Sequence, residues 1–241
     1  MNQRFITRLL LACGVIGSLL FIIVFLIEGA TRPGYSAWRH AVSQLSLGDQ
    51  GWMNSINIFV CGLFLLCFAF GLRLVLQSGK ASFWGPSLTL LCGVLFIIAA
   101  IFPVNPALGY PPGVAPTYSL HGLIHALAVT IFFGCLSALC FVLGQRFVDG
   151  ADWTGWALYS RITGAVVALF YIATSVVTTL DMNGLLPDAP GGLLQRVAII
   201  SGFGWIMLLA LRLLRQERLV RASRSENLKT YYRSRFEDKT D

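Results

Sequence analysis

Leu120–Leu143 reads LHGLIHALAVTIFFGCLSALCFVL, 24 residues without one Asp, Glu, Lys or Arg. A helix crosses the hydrocarbon core of a bilayer in about 20 mainly apolar residues. This run is long enough, and it carries two histidines near its start. Five other segments read the same way: Leu9–Ile27, Met53–Leu76, Phe83–Phe102, Trp156–Leu180 and Leu193–Leu214. The predicted fold is therefore all-α, a polytopic bundle of six transmembrane helices. It divides into a short N-terminus (1–8), the membrane domain (9–215) and a basic tail (216–241). Arg4 and Arg8 before the first span resemble the flank of a signal peptide. The apolar run is too long for such a segment and no small-residue cleavage site follows, so it reads as a retained anchor.

Composition agrees. Of the 241 residues, 56% are hydrophobic and 12% charged, against about 25% charged in soluble domains. The net charge of +7 does not point to nucleic acid, because no nucleic-acid-binding motif is present and the positive residues gather in short loops and the tail. Fifteen of the 18 Lys and Arg fall on one side of the predicted spans, and only Arg32, Arg39 and Arg196 on the other. The positive-inside rule then places both termini in the cytoplasm and the connections after spans one, three and five outside. The six cysteines all lie in apolar runs and read as small buried hydrophobes. Gly14-x-x-x-Ser18, Gly134-x-x-x-Ala138 and Gly164-x-x-x-Ala168 have the spacing of close helix contacts.

The outer connections carry the chemistry. All three histidines, His40, His121 and His125, fall on that side. Ionisable groups near a bilayer are functional candidates by default. His121 and His125 are four apart and so share a helix face. With His40 they can supply the three protein ligands that catalytic zinc commonly takes. Asp181 can orient a ligand or act as general base, and Ser43, three residues after His40, can stabilise developing charge. The plain alternatives are interfacial hydrogen bonds for the histidines and a helix cap or an ion pair with Arg196 for Asp181. Arg32, Arg39 and Arg196 suit either the nearby carboxylates or a lipid phosphate. Haem has little support: His121 or His125 can face only His40, and no histidine lies near the cytoplasmic side.

Three stretches together resemble a bacterial membrane family catalogued as domain of unknown function 998. They are His40-Ala-Val-Ser43-Gln-Leu45 with Gly48 and Trp52, Phe102-Pro103-x-Asn105-Pro106, and His121-Gly-Leu-Ile-His125-Ala. The resemblance covers roughly residues 8–215 and implies a multi-span protein of the bacterial inner (plasma) membrane with no established activity. Members often have Asp where this chain has Asn105, which weakens any role for that position as a carboxylate. A looser chemical analogy is to alkaline ceramidase-like zinc hydrolases, which have seven spans and a different order of motifs. Two functions are expected: a membrane protein that binds or senses a lipid or other membrane ligand, or a zinc-dependent hydrolase or transferase acting on a lipid.

Overall fold

The computed structural model describes residues 3–146 and 155–237. Six helices follow in order: α1 (Gln3–Thr31), α2 (Gly51–Val75), α3 (Ala81–Ile101), α4 (Leu120–Arg146), α5 (Trp156–Met182) and α6 (Gly191–Glu237). Each holds a segment long and apolar enough to cross a membrane. Leu9, Ile16, Leu20, Ile23 and Ile27 of α1 are exposed, as are Leu158, Leu169 and Ile172 of α5. Lipid covers such faces, so these helices need no polar outer stripe. The helix that carries the sixth span does not stop at Leu214: α6 continues to Glu237, through most of the basic tail. The extreme ends expected at Met1–Asn2 and 238–241 lie outside the described residues.

Each helix packs on its neighbours in sequence, and α6 returns to α1, so the bundle is a closed ring. Phenylalanines fill its axis. Phe21 of α1 lies 5.3 Å from Phe96 of α3 and 4.8 Å from Phe203 of α6, ring centre to ring centre. Phe132 of α4 lies 4.2 Å from Phe96. These rings are buried and their tilted contacts suit aromatic quadrupoles. Gly62 and Gly93 let α2 and α3 touch: a Cβ on either would sit 2.9 Å from the other's carbonyl oxygen. Gly164 does the same for α5 against the Ser137 carbonyl of α4, and Gly14 takes the ring of Phe68. Gly134, by contrast, is exposed with nothing near it, so its spacing marks no contact.

The connections after α1, α3 and α5 gather at the end opposite the termini. Residues 32–50 form a strap across it, with a short 3-10 helix at Val42–Ser46. The strap lies flat on the start of α6 because Gly192 has no side chain, while Gly191 makes room for Thr178 of α5. A Cβ on Gly192 would overlap the His40 carbonyl and sit 2.7 Å from that of Ala37. Gly192→Ala is therefore expected to lift the strap and lower stability by about 1–3 kcal/mol. Gly204→Ala, where a Cβ meets nothing within 4 Å, should be close to neutral. Unfolding in mixed micelles separates the two; equal effects would refute the close approach.

Candidate functional site

Five polar side chains hold the strap to the bundle and to the third connection. Arg196, one turn into α6, is only 6% exposed. Its Nη1 donates to the carbonyls of Ala37 (2.8 Å), His40 (3.1 Å) and Gly192 (2.8 Å). Its Nη2 lies 2.6 Å from the Tyr35 hydroxyl, which in turn sits 3.0 and 2.9 Å from the His40 and Ala41 carbonyls. Gln195, the residue before, accepts the Val42 N–H through Oε1 at 2.7 Å. Gln44 accepts the Ala41 N–H and donates to the Ala107 carbonyl, joining the strap to the proline-rich third connection. Asn54 of α2 donates to the Val42 carbonyl and the Ser46 hydroxyl. A loop at this depth must satisfy its backbone internally, and these side chains do so.

His40 belongs to this scaffold. The Ser36 N–H donates to its Nδ1 at 3.0 Å, so Nε2 carries the proton and donates to the Leu108 carbonyl at 3.2 Å. Its ring packs between Tyr35 and Tyr110. Both nitrogens are spent. His125 lies elsewhere, inside α4, with Nδ1 2.9 Å from the carbonyls of Ala99 and Phe102 at the end of α3. His121 is one turn further out, beyond the end of α3, exposed and edge-on to Phe102. The shared helix face is real, but the two rings meet different surroundings. Among the described residues no three His, Cys, Asp or Glu side chains converge to hold a metal ion. The donors expected for zinc, His40, His121 and His125, are therefore not brought together around one ion.

Asp181 is also not free to act as a base toward bound water. Its two oxygens take Nε and Nη2 of Arg39 at 2.7 and 2.8 Å, a bidentate pair, with the Asp181 side chain only 1% exposed. Arg39 keeps 28% of its side chain exposed, and its Nη1 meets Asp188 at 3.1 Å, itself 81% exposed. Arg32 is buried: it pairs with Glu28 at 2.7 Å and donates to the Gln50 carbonyl. Of the three arginines expected at the headgroup level, Arg32 lines a cleft of about 580 Å³ with Asp49 and Tyr110, but Arg39 keeps the larger share of its side chain exposed. It lines a cavity of about 320 Å³ with Asp181, Leu108, Tyr118 and Met182. Ser43 does not join Arg39; it lines a smaller cavity with His125.

The Phe102–Pro106 and His121–His125 stretches meet through a helix cap. Ser119 accepts the Gly122 N–H at the start of α4 and donates to Asn105 Oδ1 at 2.7 Å. The Asn105 amide lies directly on Gly122, where a Cβ would overlap it. Asn105 acts here as an acceptor, a role its amide fills as well as a carboxylate. Sequence reasoning did not anticipate Tyr35, Gln44, Asn54 or Gln195. Their polar character at span ends was visible, but their backbone partners were not.

A six-helix polytopic bundle with a strapped end is the class of membrane protein these features define. The sequence matches, over residues 15–212, the family described as "Protein of unknown function (DUF998)", and the chain belongs to that family. No curated protein and no solved structure matches it.

Burial holds the His40 imidazole below its usual 6.5; Arg39 and Arg196 push the same way, while its bond to Leu108 and the Asp181 charge oppose them. The unfolded chain then takes up this proton more readily than the folded one. Stability from His40 is full above pH 6.5 and falls as pH drops below it. Protonation would also place a hydrogen on Nδ1, where Ser36 N–H now donates. Unfolding of the strap is expected to become easier as pH falls below 6.5, and His40→Gln should flatten that slope. An unchanged slope in the variant would assign the effect to another group.

Proposed function

We propose that the protein binds the headgroup of an aminophospholipid at the strap end of the bundle, with both termini in the cytoplasm so that this end faces outward. The observation that carries the reading is Arg39, oriented by buried Asp181 and left partly open beside exposed Asp188. A guanidinium so held suits a phosphate oxygen. The cluster already contains two carboxylates against one cation, so it favours a headgroup that brings a positive charge of its own. A primary ammonium can donate to Asp188 while its phosphate meets Nη1 of Arg39. Tyr118, Met182 and Leu185 are exposed close by, as residues at a membrane surface are.

In nanodiscs of otherwise equal composition, phosphatidylethanolamine should stabilise the protein more than phosphatidylcholine, whose quaternary ammonium donates no hydrogen bond. Asp188→Asn, a change at an exposed side chain, should abolish that difference without loss of fold. Arg39→Gln should weaken lipid retention by native mass spectrometry about tenfold or more, as losing a hydrogen bond to a charged group does. Equal behaviour of the two lipids in the unmodified protein would refute the headgroup reading.

Orientation has its own test. Cysteine replacing Asp188 should react with an impermeant thiol reagent in intact cells, and cysteine replacing Lys80 should not. The reverse pattern would turn the headgroup site toward the cytoplasm.

A further inference from the structure

The end of the bundle that carries the termini holds a cavity of opposite character to the one beside Arg39. It lies between the start of α3 and the end of α4 and measures about 300 Å³. Its lining supplies two cations, Lys80 and Arg146, together with Gln145, Trp84 and Val142, and no carboxylate. A third cation stands at the same connection: Arg73 Nη1 donates to the Ser82 carbonyl at 3.0 Å. Arg146 is held in the same manner, its Nη1 donating to the Ser78 carbonyl. Lys80 is exposed. None of the three forms an ion pair among the described residues. At the strap end, by contrast, Arg32 and Arg39 each face a carboxylate. Cations gathered without a counterion repel one another and attract an anion.

The surroundings decide which anion. An ammonium and a guanidinium together suit a phosphate, which offers several acceptor oxygens. The Trp84 indole is exposed on the cavity wall, and Phe83, Leu90 and Leu91 continue an exposed apolar surface along α3. Tryptophan at a span end sits at headgroup level, so the cavity is at the depth of a lipid phosphate and opens toward its chains. Basic pockets between transmembrane helices hold anionic headgroups by this means. We propose that the cavity binds an anionic phospholipid from the leaflet on the side of the termini, its phosphate between Lys80 and Arg146 and an acyl chain along the exposed face of α3. With no carboxylate to receive an ammonium, the cavity favours a headgroup of net negative charge over a zwitterionic one. The two ends of the bundle therefore select opposite headgroups. This site uses none of the residues of the aminophospholipid reading and stands without it.

Tryptophan quenching by phospholipids brominated on one acyl chain tests the proposal in the full chain, held in neutral micelles. The part of the quenching that is lost in Trp84→Phe reports on this cavity. Brominated phosphatidylglycerol should produce that part saturably, with an apparent dissociation constant about tenfold or more below that of brominated phosphatidylethanolamine. Lys80→Gln, a change at an exposed side chain, should raise the phosphatidylglycerol constant roughly tenfold, the effect of losing one hydrogen bond to a charged group. Lys229→Gln, the same change of charge in the basic tail, should leave that constant unaltered. Equal constants for the two lipids would overturn the proposal. Equal weakening by Lys80→Gln and Lys229→Gln would do so too, because it would mean diffuse attraction to net charge. Displacement of phosphatidylglycerol by glycerol 1-phosphate at similar concentration would make the ligand a soluble phosphate, and that result also contradicts a lipid site.

Discussion

The strapped end of this bundle depends on one buried guanidinium. Arg196 enters the protein beside Gln195 and meets no carboxylate in any ion pair among the described residues. A buried charge of this kind costs several kcal/mol unless its donors are used. Here they are used on three backbone carbonyls and the Tyr35 hydroxyl. Two of those carbonyls, Ala37 and His40, come from a loop that would otherwise leave its own polar backbone unsatisfied. Guanidinium and loop satisfy each other, and the strap is pinned where Gly192 leaves room. Gln44 and His40 then extend the network to the third connection, so all covering segments are held as one unit.

Polarity is divided by depth in consequence. The Glu28–Arg32 and Arg39–Asp181–Asp188 groups lie at the strap end, each containing its own counterions. Below the strap the axis is mainly aromatic, built on Phe21, Phe96, Phe132 and Phe203. Polar side chains buried there turn to backbone carbonyls: His125 to Ala99 and Phe102, Asn57 to Phe21.

The spans were legible because an unbroken run of about 20 apolar residues is what a bilayer crossing demands and a soluble core does not. Leu120–Leu143 and Met53–Leu76 were placed within a few residues of α4 and α2. Ring closure of α6 on α1 was not legible, since nearly every face of these helices is apolar and the pattern does not say which one is inside. The candidate residues could be assigned to the odd-numbered connections and the span ends beside them, but their partners were not legible. Helix spacing put His121 and His125 on one face; it carried no information on where α3 ends, and that endpoint buries one ring and exposes the other. Arg39 and Asp181 lie 142 residues apart, and no local pattern links them. Gln44, Gln195 and Arg196 act on backbone carbonyls and amides, which every residue has, so the sequence offered no distinctive partner for them.

Hydrogen exchange at the strap tests the role of Arg196 most directly. Arg196→Lys keeps the positive charge but replaces a planar fork with a single ammonium that cannot reach the same acceptors. Amides of residues 36–46 should then exchange roughly tenfold faster or more, the effect of losing about 1.4 kcal/mol, while mid-helix amides of α2 and α4 stay protected. Unchanged exchange at the strap in this variant would contradict that role, and would mean that the strap is held without the guanidinium.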